Sequence, residues 1–329
     1  MRIPVVVAVG ITYVGTVVGA GFASGQEVWQ FFSRFGSMGA WGIILAAVIF
    51  AVVGGMALDR GRSGIDDFGK LLLQSYPPGI AKVLDGMTAA FLVLGLVVCT
   101  AGGASTMAGW GLPRWFGYVA TLVLTLLIGY GGRQSLTKAN LVVVPYLAAI
   151  TLVTSVLAHP ASPRSLQPSH SSIWFLAAIL YVSYNLFTAT MVLLGMGNQI
   201  RSRREGWGAA VLGAVVLGIF LFLEHRVLNG LASATDLPMV TMAVQVHSLL
   251  GWLYALSLWL ALLTTGVSIV FVFRQRYGPA LVPALMLTLL FPQWSFGTLV
   301  SRLYPVMGSL AVMLWLPLFV SAKGEKKAP

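Results

Sequence analysis

The chain has 329 residues, of which 58% are hydrophobic and 9% charged, against roughly 25% charged in an ordinary soluble domain. So little charge excludes a water-soluble globular protein. The formal net charge of +11 does not point to nucleic acid, because the basic residues stand in short clusters beside apolar runs and form no stripe with interleaved aromatics.

Taken in order, the apolar runs predict transmembrane helices at 3–34, 38–58, 82–109, 114–131, 139–158, 171–197, 207–223, 240–273, 279–293 and 296–320. The ninth is short and the eighth overlong. Arg2 leads straight into the first run with no cleavage site, so that run reads as a retained helix and not a signal peptide. Ten spans place both termini on one side. With the termini in the cytoplasm, fifteen of the twenty Lys and Arg fall inside, including the clusters Arg60/Arg62, Arg201/Arg203/Arg204 and Arg274/Arg276. Arg34, Arg114, Arg164, Arg226 and Arg302 fall outside. The expectation is one polytopic domain over 1–329 in a bacterial-type inner (cell) membrane, with the lipid bilayer as its main partner. Tryptophans such as Trp41, Trp110, Trp115, Trp174, Trp207 and Trp252 stand near span ends and read as interface anchors. The single Cys99 supplies neither a disulfide nor a thiolate metal site, and His159, His170, His225 and His247 lack paired ligand spacing.

The first run is the most informative. Residues 10–27 hold five glycines and a carboxylate inside a predicted span. Each glycine weakens a helix by about 1 kcal/mol relative to alanine. Backbone facing lipid must stay hydrogen-bonded, so a broken helix is tolerated only beside protein or a water-filled cavity. Unwinding near Gly19 to Gly25 would free carbonyls for a cation, and the second half-helix, starting near Ser24 to Glu27, would offer N–H groups to an anion. The competing reading is a small-residue packing face of Gly15, Gly19, Gly21 and Gly25, with Glu27 at the outer interface capping the helix or pairing with Arg34.

The sixth run carries Tyr181, Ser183, Tyr184, Asn185, Thr188 and Thr190 at its middle, which predicts a second break. The two breaks open two sets of five helices, 1–158 and 171–320. Five is odd, so the sets run through the membrane in opposite senses, as in alternating-access carriers. The predicted fold is therefore all-α, ten spans in a 5+5 inverted repeat with broken helices 1 and 6.

The stretch Val18-Gly19-Ala20-Gly21-Phe22-Ala23-Ser24-Gly25-Gln26-Glu27 resembles the YkvI-like membrane proteins, a branch of the amino acid–polyamine–organocation superfamily with the LeuT-type fold. That resemblance implies a cation between the carbonyls of Gly15, Val18 and Ala261 and the hydroxyls of Thr264 and Thr265, in the eighth-helix motif Ala261-Leu262-Leu263-Thr264-Thr265. Oxygen-only ligands suit a hard ion such as Na+. Phe22 stands where members with a second sodium carry an amide, which argues against a second ion. The competing reading of Thr264, Thr265 and Ser268 is bonding to carbonyls one turn back. The resemblance also places a solute between Ala20, Gly21, Phe22, Ala23, Ser24, Gly25 and Gln26 on one side and Tyr184, Asn185 and Thr188 on the other. Glu27 offers proton coupling as the alternative to sodium, since a carboxylate in a low dielectric holds its proton until it opens to water.

The expected function is a cation-coupled secondary transporter, driven by Na+ or H+, for a small polar solute such as an amino acid or amine. The alternative is a transporter-like receptor that binds a solute without moving it. An enzyme is not expected, because the histidines, Cys99, Asp85, Glu224 and Asp236 are scattered and form no nucleophile–base set. No cofactor beyond a coupling ion and no nucleic acid is implied.

Overall fold

The computed structural model describes residues 1–130, 133–159, 173–229, 231, 235–278, 288 and 294–319. The predicted ninth span, 279–293, lies outside the described residues apart from Thr288, as do Arg164, His170 and the C-terminal lysines. In chain order the helices are α1 (Ile3–Val17), α2 (Ala20–Ala23), α3 (Gln26–Phe31), α4 (Ser37–Arg62), α5 (Phe68–Ser75), α6 (Pro78–Gly109), α7 (Arg114–Tyr130), α8 (Arg133–Leu157), α9 (Trp174–Met196), α10 (Arg203–Leu228), α11 (Pro238–Val246), α12 (Ser248–Tyr277) and α13 (Phe296–Trp315). Six of them, α4, α6, α9, α10, α12 and α13, are long and apolar enough to cross a membrane. The shorter α1 and α7 are also apolar, as is the second half of α8.

Three departures from the predicted spans have local causes. The overlong eighth run is two helices, α11 and α12, separated by His247 in an extended conformation, φ −164°. The histidine ring accepts from the Leu249 N–H and so caps the second helix. Between the second and third predicted spans a further short helix, α5, forms, because the Asp67 side chain accepts the Lys70 N–H and starts a helix that buries Phe68, Leu71 and Leu72. Beside it, the Lys70 ammonium holds the Asp66 carboxyl below its usual range, in an exposed pair worth little to stability.

The third departure corrects the expected break in helix 6. The helix α9 runs unbroken from Trp174 to Met196. Its polar residues satisfy themselves on their own backbone: Ser183 donates to the Ile179 carbonyl (2.6 Å), Asn185 to Tyr181 (3.0 Å) and Thr188 to Asn185 (3.2 Å). Such back-bonding needs no unwinding.

Around α9 the bundle is assembled in two parts. The helix α4 packs on both α9 and α10, with α13 on the other side of α9, while α6, α7 and α8 pack on α12. Where the end of α4 crosses the end of α9, Gly61 and Gly197 meet backbone to backbone, so an added methyl on either would overlap the partner chain. Nearby, Arg2 donates to Glu205 through its guanidinium Nε and Nη2 and its backbone N–H, which ties the start of α1 to the start of α10. At this end of the bundle, Arg276 of α12 pairs with Asp85 of α6 (2.6 Å). We expect Gly197→Ala to destabilise by about 1–3 kcal/mol, the usual range for overpacking. A fluorescence-monitored melting curve of the detergent-purified protein checks this, and an unchanged midpoint would show that the α4–α9 crossing relaxes freely.

Candidate functional site

The first run is interrupted twice. At Val18 and Gly19 the helix ends, and the Gly19 N–H donates to the Val17 carbonyl two residues back (2.8 Å). It thereby leaves the Gly15 carbonyl, four residues back, outside the helical ladder. After the single turn of α2, Gly25 takes φ +77°, a left-handed conformation that glycine adopts without steric penalty, and α3 starts at Gln26. Gly19 and Gly21 do not fit the packing-stripe reading, since a Cβ at Gly19 would meet nothing and one at Gly21 would overlap the Glu27 carboxylate, whereas Gly25 does pack closely, against Met239 and Leu228.

Other elements hold the interruption in place. The Tyr254 hydroxyl of α12 donates to the Ala23 carbonyl (2.7 Å), and the Met239 N–H of α11 to the Ser24 carbonyl (2.9 Å). Ser24 donates its own hydroxyl to Gly21 (2.7 Å) and accepts the Gln26 N–H (3.1 Å).

Glu27 is buried, at 4% exposure, and does not reach the interface. It does not pair with Arg34, whose guanidinium lies over the Phe35 ring. Its carboxyl instead turns inward over Gly21, toward Tyr184 and Asn185. Neither Glu27 Oε2 nor the Tyr184 hydroxyl completes a hydrogen bond of normal geometry. Together they line a cavity of about 140 Å³, whose wall also includes Thr16, Gly19, Asn185, Thr188 and Thr265. Engineered cavities of ~150 Å³ take benzene, so the space suits a solute of that size.

Of the sixteen residues proposed from the sequence, the structure brings Gly21, Glu27, Tyr184, Asn185, Thr188 and Thr265 onto this wall. Phe22, Ala23, Ser24, Gly25 and Gln26 are buried but do not line it. Nor do Gly15, Val18, Ala261 and Thr264. Ala20 is described by its backbone alone, in α2. The Thr264 hydroxyl donates to the Ala261 carbonyl (3.1 Å) and Ser268 to the Thr264 carbonyl (2.8 Å), the back-bonded arrangement, whereas Thr265 faces the cavity.

Sequence reasoning missed the rest of the wall. Phe91 and Cys99 come from α6 and Tyr304 from α13. Phe91 stacks on Phe187 (4.8 Å between centroids) and Tyr304 on Tyr184 (4.6 Å). An aromatic inside an apolar run carries no mark that it faces a cavity. Asp236, read as isolated, accepts from Ser105 of α6 (2.9 Å) and from the Gly297 N–H of α13 (3.2 Å), with Arg114 of α7 at 3.4 Å. Gln26 approaches the same junction beside Gly297.

Fold and site together define a multi-pass helical membrane protein with a transporter's architecture. The solved structure of a manganese transporter from Eremococcus coleocola, in complex with an aromatic bis-isothiourea substituted compound, matches it with a TM-score of 0.62 at 14% identity, covering 95% of this chain and 78% of that one. At that identity the match speaks for the fold alone. Two proteins of Bacillus subtilis (strain 168) are similar in sequence over nearly the whole chain. The membrane protein YkvI is 25% identical over 96% of this chain and 94% of its own, and YyaD 25% identical over 91% and 92%. Both are described as uncharacterized. No family model matches the chain. The resemblance to YkvI-like proteins carried by the first helix thus extends across the molecule, and with it the transporter-like fold.

Cys99 is the chain's one cysteine, and it borders the cavity, which makes it a built-in reporter. It is 4% exposed, so small membrane-permeant thiol reagents should modify it slowly, and a bulky maleimide should not modify it at all. Equal rates with both reagents, followed by mass spectrometry, would contradict the burial of Cys99.

Proposed function

We propose that the protein is a cation-coupled secondary transporter of a small organic amine. The observation that carries this reading is the buried Glu27 carboxyl, its Oε2 without a hydrogen-bond partner of normal geometry, on an aromatic wall at the break in the first helix. A carboxylate and aromatic faces both attract an ammonium group. Among the described residues no Lys, Arg or His lines the cavity, and the Gln26 N–H at the start of α3 is already taken by Ser24, so no positive charge there balances a solute carboxylate. That favours an amine over the zwitterionic amino acid also expected from the sequence. A lone carboxylate likewise suits one positive charge better than a divalent metal, which takes several hard oxygen ligands.

The coupling ion in this reading is sodium, held by the carbonyls of Gly15, Val18 and Ala261 with the hydroxyls of Thr264 and Thr265. The released Gly15 carbonyl supports it, as does the placing of Thr16, Gly19 and Thr265 on one wall. Protons acting through Glu27 are the competing driver. In the same reading the described helices and the 279–293 stretch make ten spans in two oppositely oriented sets of five, with only the first helix broken and both termini cytoplasmic. Alternating access then means rocking of α1–α3 and α9 against the helices packed on α12. Among the described residues no three His, Cys, Asp or Glu side chains are grouped to hold a metal, and we read the chain as a carrier and not an enzyme.

The test is thermal stabilisation of the purified protein by primary and quaternary amines, neutral amino acids and manganese chloride, each in sodium or potassium chloride. A ligand at a hundred times its Kd stabilises by about 2.7 kcal/mol. Amines should raise the midpoint, more so in sodium. Glu27→Gln should abolish the amine shift, and Thr265→Ala its sodium dependence. Stabilisation by amino acids or manganese but not by amines would refute the amine assignment. Binding without uptake into proteoliposomes would favour the receptor.

A further inference from the structure

A second carboxyl group in the bundle takes no part in the cavity. Glu224 stands one turn before the end of α10, is fully buried, and has no hydrogen-bond partner on either oxygen. The titratable groups within electrostatic reach of it are Tyr181 of α9, Tyr254 of α12 and Glu27 of α3. The Tyr254 hydroxyl is engaged with the Ala23 carbonyl and Thr151, whereas that of Tyr181 has no partner.

No cation nearby is free to neutralise Glu224 among the described residues. On its own helix, His225 faces Ser33 (3.1 Å) and Arg226 donates to the Ser155 carbonyl (2.9 Å). Of the other elements packed on α10, α1 contributes Tyr13, which donates to the Phe50 carbonyl (2.8 Å). Within 37–58 of α4, 147–157 of α8 and 238–246 of α11 there is no titratable side chain, and Arg34, in the turn after α3, lies over Phe35. An ionised carboxylate with neither donor nor cation is strongly unfavourable in an apolar interior, so the neutral acid is the form that fits.

We propose that Glu224 is a second proton-binding site, set behind the break in the first helix, where Leu228 one turn further along α10 meets Gly25, and sensitive to the charge on Glu27. On ionisation the Glu224 O–H bond breaks and its proton passes to a water oxygen, and the reverse transfer restores the neutral acid. Two interacting carboxyls resist being ionised together, so the state of the cavity acid is felt at Glu224. A role in a transport cycle rests on the carrier reading above, but the proton site does not.

Infrared difference spectra of the purified protein between acidic and alkaline buffer report the carboxylic C=O stretch with no solute added. Two buried-acid bands are expected. Glu224→Gln should remove one and Glu27→Gln the other, and the survivor should titrate with a shifted midpoint. Glu224→Asp should restore a band at a new frequency, which separates loss of the acid from failure to fold. An unchanged spectrum in Glu224→Gln, or a Glu224 midpoint indifferent to Glu27→Gln, would overturn the proposal. A Glu224 band that titrates in a protein no amine stabilises would support this site and count against the amine reading alone.

Discussion

Within a bilayer every backbone N–H and carbonyl that leaves a helix must find another partner, and the interrupted first helix is where this chain meets that demand. The partners come from distant parts of the sequence. Tyr254 of α12 takes the Ala23 carbonyl and Met239 of α11 the Ser24 carbonyl. Through those two bonds the break determines where α11 and α12 can sit, and therefore where the helices packed on α12 sit. Gly19 and Gly21 leave space that side chains would fill, and Glu27 and Thr265 border it. The cavity is a consequence of the break and not a separate feature.

Polarity is confined to a thin band through this region. On the cavity side lie Glu27, Tyr184, Asn185 and Thr188, and on the far side Glu224 with Tyr181 and Tyr254. Phe31 and Phe32 pack against Tyr181, and Phe31 also against Tyr184, so the band is walled by rings. Buried polar groups in such surroundings matter by their protonation and their ligands more than by their contribution to stability. The ion pairs at the ends of the bundle, Arg2 with Glu205 and Arg276 with Asp85, instead fasten helix ends that are far apart in sequence.

The scaffold shared with a manganese transporter at 14% identity illustrates how little a fold says about cargo. The likeness lies in the arrangement of helices. What this chain presents around about 140 Å³ is one buried carboxyl group, four aromatic rings and, among the described residues, no basic side chain.

Hydropathy determined most of the helices from the sequence alone, because a span must be apolar over its whole length whatever it packs against. The glycines with Gln26 and Glu27 likewise located the break, since five glycines and a carboxylate have no place in a continuous lipid-facing helix. The helix α9 could not be read in the same way. Its Ser183, Asn185 and Thr188 suggested unwinding, but side chains that bond back to their own helix look identical in sequence to side chains that replace it. The α11–α12 division at His247 was hidden because apolar residues continue through it. Only tertiary structure decided which faces meet: that Glu27 turns inward over Gly21, that Thr265 and not Thr264 borders the cavity, that Tyr304 closes it, and that the seemingly isolated Glu224 lies within the field of Glu27. Those are relations between residues up to nearly three hundred positions apart, and in a chain apolar throughout, the polarity pattern that would betray an inward face is absent.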